Sequence, residues 1–205
     1  MKEQNLNNIL LKNNKLSNFA KDYIDYLSVV FKSLNFNQLE KLEKEMVKMR
    51  RRNSTLFAIG NGGGAATAMT ISNDLGFDLL KKTKKKGFRI ISLVDNSSVV
   101  TAISNDVGYE NIFINQLKTH FKKQDALIIF SASGNSENLI KAAKWVKSKK
   151  GKVFSIVGFS GGSVSKISDI CLHFKSNSGE YGPVEDSQLI VNHILAHWFQ
   201  SKFKK

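Results

Sequence analysis

Two stretches of the chain concentrate small and hydroxyl-bearing residues more densely than turns require. The first is Gly60-Asn61-Gly62-Gly63-Gly64-Ala65-Ala66, between the apolar run Leu56-Phe57-Ala58-Ile59 and a helical pattern from Ala65 to Leu75. Glycines let a ligand approach the backbone closely, and a helix start offers unpaired N–H groups at the positive end of the helix dipole. Strand, glycine loop and helix in that order make an anion site, whereas a turn of small residues would not need that context. The second stretch is Ser131-Ala132-Ser133-Gly134-Asn135-Ser136, ahead of a helix predicted over Glu137 to Ser148. Three hydroxyls beside a helix N-terminus satisfy several oxygens of one phosphate without a metal. Helix capping accounts for Ser136 alone and does not ask for Ser131 and Ser133.

A dinucleotide site is the main alternative for the glycine loop, since Gly60-x-Gly62-x-x-Ala65 satisfies the fingerprint and Asp95 ends the next apolar run. That fingerprint wants its acidic residue about 20 positions on, and Asp95 stands 35 after Gly60. The serine loop has no required role in dinucleotide binding and an evident one in holding a terminal phosphate. No Walker A lysine motif and no Gly-x-Ser-x-Gly elbow occurs, so neither nucleotide hydrolysis nor serine-esterase chemistry has support.

These loops need a frame to bring them together. Residues 16 to 53 read as two helices broken near Asn35 to Asn37, from the helical spacing of Phe19, Tyr23, Tyr26, Leu27 and Val30 and then of Leu39, Leu42, Met46 and Met49. From Thr55 the pattern changes to short apolar runs alternating with helical segments: Thr55–Ile59, Phe88–Val94, Ala126–Phe130, Val153–Val157 and Ile170–Phe174. Near-continuous hydrophobicity marks strands covered on both faces, and most separations are long enough for a crossover helix. The expectation is five parallel strands between helices, a helical lead-in over 1–53, an α/β core over 54–205 and a last helix from Pro183 to about Phe203, all as one domain. Both loops then lie side by side at the carboxyl ends of strands, where open α/β sheets bind ligands.

With 205 residues and 41% hydrophobic content, the chain supports one sizeable core. A single cysteine, Cys171, excludes an internal disulfide framework and favours a reducing compartment. No signal-peptide core and no membrane-length apolar run is found, so a cytoplasmic location without membrane association is expected. The net charge of +14 comes almost wholly from lysine, because arginine occurs only at positions 50, 51, 52 and 89. Scattered lysine attracts anionic metabolites in general; nucleic-acid recognition would favour arginine and interleaved aromatics, which the run Lys81 to Lys86 lacks, so that run reads as a solvated loop.

On these loops, together with Ser104-Asn105-Asp106, Gly158-Phe159-Ser160-Gly161-Gly162 and Asn192-His193-Ile194-Leu195, the chain resembles the sugar isomerase (SIS) domain family over nearly its whole length, in its phosphoheptose isomerase branch. The resemblance implies a flavodoxin-like, Rossmann-like three-layer sandwich, a homotetramer with active sites between subunits, and a sugar phosphate as substrate. It also implies substrate binding by Asn61, Gly62, Gly63, Asn105, Asp106, Ser131, Ser133 and Ser136. The family's zinc-binding and acid–base positions fall on Thr70, Asp74, Glu185 and His193: a His is replaced by Thr, Glu by Asp and Gln by Glu, while the last His is kept. Ala132 stands where the family usually has Thr, and the approach to the last helix, Glu180 to Asp186, is unlike the usual one.

Aldose–ketose isomerisation moves a proton between adjacent carbons, which needs a base, with an acid near the oxygens. By resemblance these roles fall to Asp74, Glu185 and His193. Glu185 and His193 are eight residues apart, about 12 Å along a straight helix, too far to grip one ion or one substrate atom together, so a shared site would draw on two chains. The set Asp74, Glu185 and His193 is rich in oxygen and one ligand short of the family's zinc site; no cofactor is assigned, and zinc or manganese stays open. Two functions follow. One is a phosphosugar isomerase, acting on sedoheptulose 7-phosphate or a related sugar phosphate for surface polysaccharide synthesis. The other is a non-catalytic SIS protein that senses a sugar phosphate or docks on a partner.

Overall fold

A computed structural model describes residues 5–204. Three helices lead in: α1 (Leu6–Lys12), whose start is capped by the Asn5 side chain, α2 (Leu16–Lys32) and α3 (Phe36–Arg52), which ends on Asn53 in a left-handed conformation. The break between α2 and α3 falls where the apolar periodicity lapses, with Asn35 accepting from the Asn37 N–H. The core strands are β1 (Thr55–Gly60), β2 (Arg89–Ser92), β3 (Ala126–Ser131), β4 (Lys152–Val157) and β5 (Ile170–His173), all parallel in the order β2-β1-β3-β4-β5.

The sheet divides the core in two. Leu56, Ala58, Ile128 and Phe130 point to one face, against the lead-in helices and the last helix; Phe57, Ile59, Leu127 and Ile129 point to the other, against the helices that follow β2, β3 and β4. Burial on both faces is why β1 and β3 are apolar at nearly every position, while edge strand β2 alternates buried and exposed. Chain order reverses between β1 and β3, and their register pairs Gly60 with Phe130. The glycine and serine loops therefore leave adjacent strands at the switch point of the sheet, the crevice in which such folds bind ligands.

The remaining helices are α4 (Gly63–Ser72), a π turn (Asn73–Asp78), α5 (Leu79–Thr83), α6 (Ser97–Val107), a 3-10 turn (Tyr109–Asn111), α7 (Ile112–His120), α8 (Glu137–Ser148), α9 (Gly162–Ile167) and α10 (Tyr181–Lys204). The helix after the glycine loop does not stop at Leu75 as expected. It widens at the π turn, where the Leu79 N–H reaches back to the Asp74 carbonyl, and the Leu75 carbonyl accepts instead from the Phe88 N–H at 2.9 Å. A Cβ on Gly87 would lie 2.2 Å from the Gly76 carbonyl oxygen, so the chain can pass this close only as glycine. Lys81 and Lys82 consequently lie on α5, and the solvated loop begins only at Lys84.

Helix α10 opens two residues before Pro183, which sits in the first turn where no N–H is needed. The preceding residue, Glu180, is buried and anchors this end: its carboxylate accepts from the Leu6 N–H at 2.8 Å, the Asn177 N–H at 3.0 Å and the Tyr26 hydroxyl. Burial pushes the Glu180 carboxyl upward, but these donors outweigh it and hold it below the usual range.

Candidate active site

A pocket of about 230 Å³ opens between the two loops, lined by Asn61, Gly62, Ser131, Ser133, Ser136 and Glu185, with Tyr181 at its side. Gly62 adopts φ 54° and ψ −124°, open to a ligand and a conformation that only glycine enters at low cost. Gly63 leaves room for the Glu185 carboxylate: a Cβ there would be 2.3 Å from the Glu185 Cδ. Gly64 lets α4 settle onto β3, because a Cβ would meet the Phe130 carbonyl oxygen at 2.5 Å. The three glycines thus serve different ends: backbone conformation, a seat for a carboxylate, and packing.

On the serine side, the Ser131 hydroxyl accepts from the Gly134 N–H at 3.0 Å and the Ser133 hydroxyl from the Asn135 N–H at 3.3 Å, so both keep their own hydrogens to donate. Ser136 occupies the N-cap position of α8 without making a side-chain cap bond. Its hydroxyl stands free beside the unpaired N–H groups of the first turn of α8, better placed for an anion than a capping serine would be. The start of α9 braces this wall from behind, with the Asn135 side chain accepting from the Ser163 N–H at 3.0 Å and the Gly134 carbonyl from the Val164 N–H at 2.9 Å.

Asn61 is tied by a reciprocal amide pair to the buried Asn138, at 2.9 and 3.0 Å, and also accepts from the Tyr109 hydroxyl at 3.0 Å. With both lone pairs of its oxygen taken, its side chain clamps the glycine loop to α8 and leaves one amide hydrogen for a ligand. Asn105 and Asp106 bond each other at 2.9 Å on the exposed end of α6 and do not line the pocket. From that region it is Tyr109 that reaches the glycine loop. Asn138, Tyr109 and Tyr181 were not singled out by sequence; only Asn138 left a signal, as an amide on the face of α8 that buries Leu139, Ala142 and Ala143.

The three acid–base candidates separate. Glu185 faces the pocket. Asp74, at the start of the π turn, accepts from the Asn192 side chain at 2.7 Å and the Asn73 side chain at 3.0 Å, and the His193 Nε2 lies 3.7 Å from its carboxylate. Asp74 is therefore neither a solvated helix carboxylate nor a wall of the loop pocket. It belongs to the seam between the π turn and α10, with His193 half exposed beside it. Asn192 is wholly buried, and its Oδ1, like the Gln188 Oε1 one turn earlier, has no partner among the described residues.

The set Asp74, Glu185 and His193 does not converge on one point, and no group of three such side chains able to hold a metal occurs among the described residues. Thr70, at the family's histidine position, turns its hydroxyl onto the Ala66 carbonyl at 2.9 Å. The residues of one chain therefore do not fit a zinc site. At the first turns of α10, burial and then the hydrogen bond to Asp186, with the charges of Asp186 and Glu185, push the Tyr23 phenol above its usual range and keep it neutral.

Comparison with known proteins agrees with this geometry. Residues 18–158 match the SIS domain family. The chain is 32% identical over 151 residues to phosphoheptose isomerase 2 of Campylobacter jejuni, covering 74% of this chain and 73% of that protein. It is 30% identical over 187 residues to the phosphoheptose isomerase of Helicobacter pylori, covering 89% and 94%. The fold is similar to that of phosphoheptose isomerase from Neisseria gonorrhoeae, with a TM-score of 0.79 at 20% identity, covering 91% of this chain and 100% of that one. By sequence and by fold the chain belongs to the SIS domain family, in its phosphoheptose isomerase-like branch.

Proposed function

We propose that the chain is an aldose–ketose isomerase of sugar phosphates, with sedoheptulose 7-phosphate or a closely related sugar phosphate as substrate and surface polysaccharide precursors as the destination. The observation that carries this reading is the Glu185 carboxylate set over Gly63 in the same pocket as three serine hydroxyls and two helix starts. In this mechanism Ser131, Ser133, Ser136 and the N–H groups of the glycine loop and α8 hold the phosphate. That contact fixes the sugar and presents its carbonyl end to the protein. Glu185 removes a proton from the carbon next to the carbonyl and returns it to the neighbouring carbon, and a donor near the two oxygens completes the transfer.

Asp74 and His193 supply that donor in the proposal, with Asp74 orienting the imidazole. Asp74 sits on the π turn, and His193 lies eight residues beyond Glu185 on α10 with its ring half exposed, which supports a site completed by a second copy of the chain. So does the size of the pocket, about 230 Å³, below the roughly 300 Å³ at which ligand sites usually begin. A homotetramer is the assembly proposed, and the exposed apolar side chains of Ile24, Val29, Phe77 and Leu80 support an oligomer. We take residues 1–205 as one SIS domain working in the cytoplasm; no helix among the described residues is long and apolar enough to cross a membrane.

The test is proton NMR of the purified protein with sedoheptulose 7-phosphate and a small panel of aldose and ketose phosphates, with and without added zinc. Interconversion of any one establishes the isomerase and names its substrate. Binding without interconversion across the panel would sink the enzyme and leave a sugar-phosphate sensor on an isomerase fold.

A further inference from the structure

A cavity larger than the loop pocket is remote from the loops. A cleft of about 1020 Å³ lies at the amino edge of the sheet, where β3 begins at Ala126 and β4 at Lys152, and where α3, α7 and α8 end. Strands of six residues separate it from the loop pocket, roughly 20 Å away along β3. Two carboxylates line it, and the oxygens of both are already engaged. Glu45 pairs with Lys48 at 2.8 Å and with Lys152, which together hold its carboxyl below the usual range. Asp125 commits one oxygen to the Thr55 N–H at 2.7 Å and the other to the Lys122 N–H at 2.8 Å.

Six further cations in the lining, Arg52, Lys118, Lys122, Lys123, Lys149 and Lys150, have no carboxylate partner among the described residues. Basic residues at helix C-termini complement the helix dipole, which explains one or two per helix. It does not explain why three helix ends converge on one concave space in which like charges repel. The Trp145 indole forms part of the wall, set edge-on to Phe121 with ring centroids 5.7 Å apart, and the Lys149 ammonium lies 5.7 Å from its centroid.

We propose that this cleft binds an oligophosphate chain, a linear run of three or more phosphoryl groups carried by a nucleoside triphosphate or present as inorganic polyphosphate. Clustered lysines act as point charges that match a flexible chain of phosphates, and only Arg52 offers the planar fork suited to reading one group bidentately. Eight cations face two carboxylates in the lining, so most of the positive charge is unmatched among the described residues and attracts an anion from outside. A single phosphate engages too few of the six cations to hold.

The experiment uses the intact protein, titrated with tripolyphosphate, ATP and inorganic phosphate, and read by calorimetry and tryptophan fluorescence at low and moderate salt. Tripolyphosphate or ATP should bind once per chain at micromolar concentration, weaken at least tenfold between 0.05 and about 0.3 M salt, and outcompete inorganic phosphate at least a hundredfold. Lys122→Ser combined with Lys149→Ser should weaken binding at least tenfold with the melting temperature kept, since both side chains are exposed. Ser131→Ala combined with Ser136→Ala should leave it unchanged. Both sources support the proposal and are told apart by Trp145→Phe: a loss of ATP affinity with tripolyphosphate affinity intact identifies a nucleotide whose base meets the indole, and equal behaviour identifies free polyphosphate. Binding abolished by the serine variants and kept by the lysine variants would put the phosphates in the loop pocket and overturn the proposal. So would binding of a single-stranded oligonucleotide with none of tripolyphosphate or ATP.

Discussion

Replacing Gly63 by Ala separates the pocket's chemistry from its stability. An added Cβ would lie 2.3 Å from the Glu185 Cδ and 2.4 and 2.7 Å from its two oxygens, so the carboxylate must retreat by about 1 Å to reach ordinary contact. The displaced group is the far end of a flexible side chain, and its new rotamer costs about 0.5–1.5 kcal/mol. Alanine in place of glycine at a helix start returns up to about 1 kcal/mol by restricting the unfolded chain. These nearly cancel, and the melting temperature should move by no more than about 4 °C. Turnover should suffer far more, because a 1 Å misplacement of a reacting group costs about 10²-fold. Gly64→Ala is the control. Its Cβ meets a backbone atom, the Phe130 carbonyl oxygen, at 2.5 Å, which cannot swing aside, so this variant should lose several degrees of stability. The assay is sugar-phosphate interconversion by NMR beside thermal unfolding. A folded Gly63→Ala protein that turns over at the parent rate would refute Glu185 as a reacting group.

Four further outcomes are expected. Ser136→Ala should raise KM about 10- to 100-fold in steady-state assays with little change in melting, because the hydroxyl it removes caps nothing. Asn192→Leu deletes a hydrogen bond to the Asp74 carboxylate but also an orphaned buried oxygen; each is worth about 1–3 kcal/mol, so thermal unfolding should change little while kcat falls. Glu180 has a folded-state pKa below its unfolded one, so its stabilisation is present above about pH 4.3 and lost as pH falls through the folded value. Glu180→Gln should therefore be less stable at neutral pH and lose less on acidification, as followed by melting across that range. Co-expressed Glu185→Gln and His193→Ala chains, each inactive alone, should regain activity at about a quarter of their sites if each site draws on two chains of a randomly mixed assembly.

The strands were legible because burial on both faces leaves near-continuous apolar runs. The loops were legible because glycine and serine at that density, set between a strand and a helix, suit an anion and little else. The π turn was not. Its cause is the long-range pairing of the Leu75 carbonyl with Phe88, and the local sequence around Asn73 and Asp74 is compatible with an ordinary helix end. Helix phase after that point, and with it the seat of Asp74, was hidden for the same reason. Pro183 marked the last helix but not its first residue, because Glu180 is anchored by Leu6 and Tyr26, more than 150 positions away. Asn61 was expected among the substrate-binding residues; the pairing of its side chain with Asn138 spans 77 positions, and no local pattern encodes it.

The altered positions bear on whether a binding protein or an enzyme is the better reading. A protein that only senses a sugar phosphate needs the loop pocket, and nothing in that pocket depends on Asp74. Yet Asp74 receives two amide donors, and one of them, Asn192, is held wholly buried with its own oxygen unpaired among the described residues. An unpaired buried acceptor costs about 1–3 kcal/mol, against a total stability of about 5–15 kcal/mol for a protein of this kind. A leucine at 192 would fill the same seam without that cost. The arrangement is economical only if the carboxylate must stand at one place and angle beside His193. That requirement belongs to proton transfer, and it favours the isomerase over the sensor.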